Sequence, residues 1–199
     1  KATGFSYTTV SRVLNGKGGA NKDNSEWIKR VAVELGYQPN IVAKSLRLNS
    51  TKTIGVIVPD CSNTVYSRVI KAVEDVASEN GYSIVLCNTD YDYDKEYASV
   101  KLLVEKRVDG LIMATPQLLK KDDVKFLKSI GIPVVFLYRW DEENTMDYVV
   151  TNNQLGAFLV SDHMIKRGNR DIVFFNLKKD VQSAQEREKG FKEALEVNG

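Results

Sequence analysis

An all-α helix-turn-helix head followed by an α/β core on a parallel sheet is the fold class this sequence predicts. Three observations predict it. From residue 53 onward, short apolar runs alternate with stretches of helical periodicity, the signature of a parallel sheet covered by helices on both faces. Residues 1–50 follow a different rule: the end of a helix, a tight turn at Gly4-Phe5 and a short helix form a helix-turn-helix arrangement, with a third helix after a glycine-rich loop. Charge divides at the same place. Residues 1–50 carry eight Lys/Arg against three Asp/Glu, whereas the remainder carries 20 basic and 23 acidic residues. A basic head on an acidic body points to a polyanionic partner.

In the head, "KAT" at 1–3 reads as the end of a helix, and Gly4-Phe5 as a turn. Ser6 is placed to N-cap a helix from Tyr7 to about Leu14, with Val10, Val13 and Leu14 as its buried stripe. A further helix, around residues 25–35, buries either Trp27 or Ile28, with Val31 and Leu35, and stops at Gly36. In the core, "TIGVIV", "SIVLC", "GLIMA", "PVVFLY" and "DIVFF" read as strands, with a short "YVV" after the fourth of the sheet's runs. Helices are expected at about 64–79, 95–107, 122–129, 153–167 and 184–197. Ligands of such sheets sit beyond the carboxyl ends of the strands, which here present Asp60 and Asn63, then Asn88 and Asp90, then Thr115 and Arg139.

Composition narrows the function classes. A chain of 199 residues with 43% hydrophobic and 27% charged residues is that of a globular protein. It contains no apolar run of bilayer-spanning length and no signal-peptide core, so no membrane partner and a cytoplasmic, nucleoid-associated location are expected. Cys61, Cys87 and the single His163 have no metal-ligand spacing, so no metal is expected. His163 falls mid-helix and reads as a packed helix residue. No Ser/His/Asp or Cys/His set and no paired carboxylates stand out, and no glycine-rich phosphate loop follows the first strand. Neither an enzyme nor a cofactor is expected.

The stretch "SYTTVSRVLNGKGG" at 6–19 bears small hydroxyls, a tyrosine and one arginine where a surface helix would spread Glu and Lys. A helix inserted in the major groove meets base edges there instead of water. Tyr7 and Thr8 lie at its N-terminal end. Arg12, four residues beyond Thr8, is placed either to fork onto a guanine or to clamp a phosphate. Ser6, Thr9 and Ser11 supply hydroxyls for phosphate oxygens, and Asn15, at the end of the same helix, is also expected to contact DNA.

"TVSRVLNG" (9–16), "ELGYQPN" (34–40) and "VAKSLR" (42–47), joined to "TIGVIVPD" (53–60), resemble the LacI/GalR family of bacterial transcription regulators. The likeness continues through "KRVDGLIM" (106–113), "GIPVVFLYR" (131–139), "HMIKRGNRDI" (163–172) and "REKGF" (187–191). It covers essentially the whole chain in order. The resemblance implies a head at 1–39 with an incomplete first helix and a hinge helix and linker at 40–52. It also implies a two-lobed periplasmic-binding-protein-like core, with its N-terminal lobe at 53–152 and the crossover and start of a truncated C-terminal lobe at 153–199.

The resemblance also assigns roles. Tyr7, Thr8 and Arg12 would read bases, Leu46 would wedge into the minor groove with Ala43 beside it, and Lys44 or Arg47 would lie near phosphates. An apolar wedge unstacks a base step and bends the duplex against more protein. Asp60, Asn63, Tyr66, Asp90, Arg139 and Arg187 would surround a small effector, a sugar or sugar phosphate. Each has a plainer alternative among these residues: Asp60 as a helix cap, Tyr66 as core, Arg139 paired with Asp141. The function implied is a sequence-specific regulator, a repressor acting as a homodimer on pseudo-palindromic double-stranded operator DNA. A solute-binding protein without gene control is the alternative that residues 53–199 fit equally well, but it has no use for the basic head.

Overall fold

The computed structural model describes residues 2–37, 49–115, 119–141, 143, 145–177 and 181–199. Two units result, Lys1–Arg47 and Leu48–Gly199, dividing within the segment expected to be hinge and linker.

In the first unit, the Ser6 hydroxyl accepts the Thr9 backbone N–H at 3.2 Å and so opens helix α1 (Tyr7–Leu14). Gly16, at φ +69°, supplies the left-handed residue that ends it, with Gly16 N–H donating to the Val13 carbonyl at 3.0 Å. Asn21 caps α2 (Lys22–Glu34) by accepting from Asn24 N–H at 2.9 Å. That cap explains why α2 starts earlier than its apolar periodicity suggested. Val13, Ile28 and Val31 are buried, while Val10 and Leu14 are half-buried. Ile28 rather than Trp27 fills the core; Trp27 is 40% exposed with the Arg30 guanidinium over its ring. Leu35, expected inside, is exposed. Residues 2–5 form a turn and bend.

The second unit is built on β1 (Thr53–Val58), β2 (Ser83–Asn88), β3 (Gly110–Met113), β4 (Val134–Leu137) and β5 (Asp147–Val149). All four pairings are parallel, in the order β2-β1-β3-β4-β5. Helices α3 (Thr64–Glu79), α4 (Tyr93–Glu105) and α5 (Lys121–Ser129) make the crossovers. Side chains along a strand alternate between faces, and the core divides accordingly. Ile57, Leu111, Met113 and Phe136 pack with Val100 and Leu103 of α4 and Leu127 of α5. Val56, Val58 and Ala114 pack on the other face with Tyr66, Ile70 and Val73 of α3. Gly55 makes room for this: a Cβ there would lie 2.6 Å from a Leu111 methyl and 2.8 Å from a Leu103 methyl.

Beyond the sheet, α6 (Asn153–Lys166) and α7 (Gln182–Asn198) lie side by side and run the same way. Gly190 lets them touch, since a Cβ on it would meet the Gln154 carbonyl oxygen at 2.0 Å. The strand expected at 171–175 does not form. An extended segment becomes a strand only when a neighbour takes its backbone hydrogen bonds, and among the described residues none lies beside it. Val173 and Phe175 are exposed, while Phe174 stacks on Phe191 at 4.8 Å between centroids.

Candidate nucleic-acid interface and small-molecule crevice

On the head, capping and packing decide which side chains remain presented. Tyr7 is 88% exposed, and Thr8 and Arg12 are also exposed. They share the α1 surface opposite buried Val13. Arg12 is held by the turn that follows, its Nη2 donating to the Lys17 carbonyl at 3.4 Å. Gly19 fits closely beneath it, because a Cβ there would lie 3.1 Å from Arg12 Cβ. This clasp was not anticipated; glycine spacing after Arg12 is its trace in the sequence. Ser6 and Thr9 spend part of their hydrogen-bonding capacity on each other, at 2.9 Å, as they close the N-terminus. Asn15 is turned inward to the helix end, its Nδ2 donating to the Ser11 carbonyl at 2.6 Å and lying 3.5 Å from Ser11 Oγ. Ala43, Lys44, Leu46 and Arg47 lie outside the described residues.

In the second unit, the chain leaves β1 toward β2 on one side and β3 on the other, so the topological switch point lies between β1 and β3. Asp60 Oδ1 accepts from the Ser62 hydroxyl at 2.6 Å and from Ser62 N–H at 2.9 Å. Those bonds, the hydroxyl first, hold its carboxyl below the usual range. Asn63, not Asp60, is the cap of α3, accepting from Val65 N–H at 2.9 Å. Asn88 ties two loops together: its Oδ1 accepts Cys61 N–H at 2.8 Å and its Nδ2 donates to Asp90 Oδ1 at 2.6 Å. Asp90 also pairs with Lys95 at 2.6 Å.

Two expected contacts are corrected. Tyr66 is 8% exposed, packed in the core and edge-to-face with Tyr138 at 5.9 Å, so its ring face is not open to a ligand. Burial, with a hydrogen bond to Tyr91, pushes its phenol well above the ordinary range. Arg139 is 2% exposed and its Nη2 is paired with Glu96 Oε1 at 2.5 Å, not with Asp141. Its guanidinium lies over the Phe136 ring at 4.8 Å. Asp141 instead accepts from Thr145 N–H, Thr145 Oγ1 and Met146 N–H. The sequence reading missed Tyr91 and Tyr138, whose φ values of 60° and 69° are left-handed, a conformation that bulky side chains adopt at a cost and that clusters at functional sites.

Arg187, on α7, donates from Nε to Asn153 Oδ1 at 3.3 Å, and Asn153 Nδ2 donates to Glu186 at 2.9 Å. It lines an open groove of about 530 Å³ with Asn152, Asn153, Phe174 and Phe191. His163 is exposed on α6 rather than packed, because that helix turns its opposite side, at Ser161, inward. Among the described residues no group of His, Cys, Asp or Glu could hold a metal ion, and no helix is long and apolar enough to cross a membrane.

Comparison with known proteins gives two family matches. "Bacterial regulatory proteins, lacI family" matches residues 1–40, and "Periplasmic binding proteins and sugar binding domain of LacI family" matches residues 51–199. The ribose operon repressor of Halalkalibacterium halodurans is 40% identical over 191 residues, covering 96% of this chain and 56% of the repressor. The chain thus spans little more than half the length of that relative. Among solved structures, the lac repressor dimer bound to operator and the anti-inducer ONPF is similar with a TM-score of 0.83 and 26% identity, covering 98% of this chain and 59% of that one. A periplasmic binding protein/LacI transcriptional regulator from Alkaliphilus metalliredigens complexed with D-xylulofuranose has a TM-score of 0.64 and 30% identity over 73% of this chain and 53% of that one.

Proposed function

Because the chain belongs to the LacI family of bacterial regulatory proteins, we propose that it is a sequence-specific DNA-binding transcription regulator, a repressor controlled by a small carbohydrate. The observation that carries the reading is the α1 surface, where Tyr7, Thr8 and Arg12 are exposed on a helix fixed from behind by α2. Tyr7 and Thr8 meet base edges, Arg12 forks onto a guanine, and Ser6, Thr9 and Ser11 meet phosphates. Asn15 acts by fixing the end of α1. The head is residues 1–39, the hinge and linker 40–52, and the core begins at 53. Within the hinge, Leu46 is the wedge, Ala43 lines its approach, and Lys44 and Arg47 lie along phosphates.

The protein acts without catalysis in the cytoplasm, as a homodimer on a pseudo-palindromic operator, since one recognition helix is too small for tight specific binding. Asp60, Asn63 and Asp90 form one wall of the effector crevice and Arg187 the other, while Tyr66 and Arg139 support that first wall from behind. Carboxylates and amides at strand ends suit sugar hydroxyls. The name of the ribose operon repressor and the sugar in the Alkaliphilus metalliredigens structure support a carbohydrate. An effector that prefers one lobe arrangement shifts operator affinity by that difference alone.

Replacing Arg12 by Ala tests the reading. Loss of a bidentate guanine contact costs about 1–3 kcal/mol on the cognate site and relaxes preference at that base pair. Equal weakening on all sequences would make Arg12 a phosphate clamp instead. The wild-type affinity should also fall steeply with salt, with a logarithmic slope of about −0.9 for each phosphate neutralised.

A further inference from the structure

One carboxylate, Asp109, gathers the residues through which the chain enters the core. Its Oδ2 accepts from Ser50 Oγ at 2.5 Å and Lys52 N–H at 3.1 Å, and its Oδ1 accepts from Thr51 N–H at 2.8 Å. The Thr51 hydroxyl stands 3.1 Å from the same Oδ1 and 2.8 Å from the Arg107 carbonyl. Burial alone would raise this carboxyl's pKa, but the bonds from Ser50, Thr51 and Lys52 outweigh it and leave it below the ordinary value.

The backbone bends to reach this arrangement. Asn49, Lys52 and Arg107 take φ values of 49°, 54° and 57°, a left-handed conformation that non-glycine residues adopt only when their surroundings hold them there. Lys52 is fastened on its other side as well: its carbonyl accepts Ser83 N–H at 2.9 Å, and its ammonium lies 4.3 Å from the Tyr82 ring centroid. Pairing of β1 with β2 and β3 already sets the strand register from Thr53 onward. The Asp109 bonds therefore fix something further, the path of residues 50–52 before β1 begins.

That path matters because of where it leads. β1 and β3 both start at this junction, and their far ends carry Asp60 and Thr115 at the strand ends where ligands of such sheets bind. Resting on the reading that the head binds operator DNA, we propose that Asp109 is a positioning residue for operator recognition. It fixes the path of residues 50–52, the last before β1 begins.

The test uses the full-length protein and compares Asp109→Asn, Ser50→Ala and the double variant. Kd is measured on a selected operator and on an unrelated duplex, with the melting temperature followed in parallel. Asn preserves the shape but cannot accept at both positions, so one oxygen's bonds are lost. The expected result is an operator Kd raised at least tenfold by Asp109→Asn, with unrelated DNA changed less than twofold. Ser50→Ala should give a smaller loss in the same direction, and the double variant should be no worse than Asp109→Asn. A folded Asp109→Asn protein with its operator Kd within twofold of wild type would overturn the proposal. So would a parallel fall of both affinities with the melting temperature, which marks a structural role only. If Asp109→Asn does not fold, Ser50→Ala decides, and an unchanged ratio of operator to unrelated-DNA affinity overturns it. A wild-type protein that prefers no sequence at all would instead remove the DNA-binding premise itself.

Discussion

Replacing Gly190 with alanine should destabilise the second unit, although alanine is the better helix former. In an open helix the change gains about 1 kcal/mol. Here the new Cβ would lie 2.0 Å from the Gln154 carbonyl oxygen, 2.9 Å from its carbon and 3.0 Å from Phe158 N, all backbone atoms of α6. No rotamer change relieves that overlap; α6 and α7 must separate by about 1 Å, with the cost of overpacking at roughly 1–3 kcal/mol or somewhat more for a rigid backbone neighbour. The upper part of that range wins over the propensity gain, for a net loss of about 2 kcal/mol and a melting temperature lower by roughly 4–8 °C. Gly156, on α6, is the control, because a Cβ there meets nothing within 4 Å. Gly156→Ala should gain about 0.5–1 kcal/mol. Thermal and urea unfolding of the two variants read the contrast. Should Gly190→Ala prove as stable as Gly156→Ala, the close approach of the helices described above would be refuted. Since Arg187 lies on α7 one turn before Gly190, the same variant should also weaken binding of any effector that needs Arg187.

Two further outcomes follow from buried charges. Glu96→Ala removes the carboxylate paired with Arg139 Nη2, and urea unfolding should show a loss of stability; an unchanged unfolding free energy would contradict the pair. Asp141 is 3% exposed. Burial pushes its carboxyl up, but hydrogen bonds from Thr145 and Met146 outweigh this and leave its pKa below the ordinary carboxylate value. A folded pKa below the unfolded one means the unfolded chain binds the extra proton, so this stabilisation is complete above the unfolded-state pKa and is lost as pH falls from there through the folded pKa. The stability gap between wild type and Asp141→Asn should therefore narrow between pH 7 and pH 3; a constant gap would place the effect elsewhere.

Much of this architecture was legible because its signals are local. Apolar runs with helical spacing between them located four of the five parallel strands, with β5 marked only as a short "YVV", and the Ser6 cap and Gly16 turn bounded α1 closely. The misses have a physical pattern. "DIVFF" has strand composition, but strand formation depends on a neighbour that sequence alone does not supply. Tyr66 and Arg139 were placed at the crevice by the resemblance. The structure buries both: Tyr66 packs in the core against Tyr138, and Glu96, 43 residues before Arg139, takes the guanidinium. The Asn88 bridge and the Asp109 clamp were equally invisible, since each joins loops brought together only by the parallel sheet. Conversely, the exposure of Tyr7, Thr8 and Arg12 together on α1 was readable: side chains on one short helix keep their spacing whatever the rest of the chain does.

Selection of operator sites from random duplex DNA by the full-length protein tests the central claim most directly. The account predicts enrichment of one pseudo-palindrome whose half-sites mirror a two-fold dimer. Preference at the base pair read by Arg12 should be lost in Arg12→Ala. Failure to enrich any site, with binding that depends on salt but not on sequence, would contradict it.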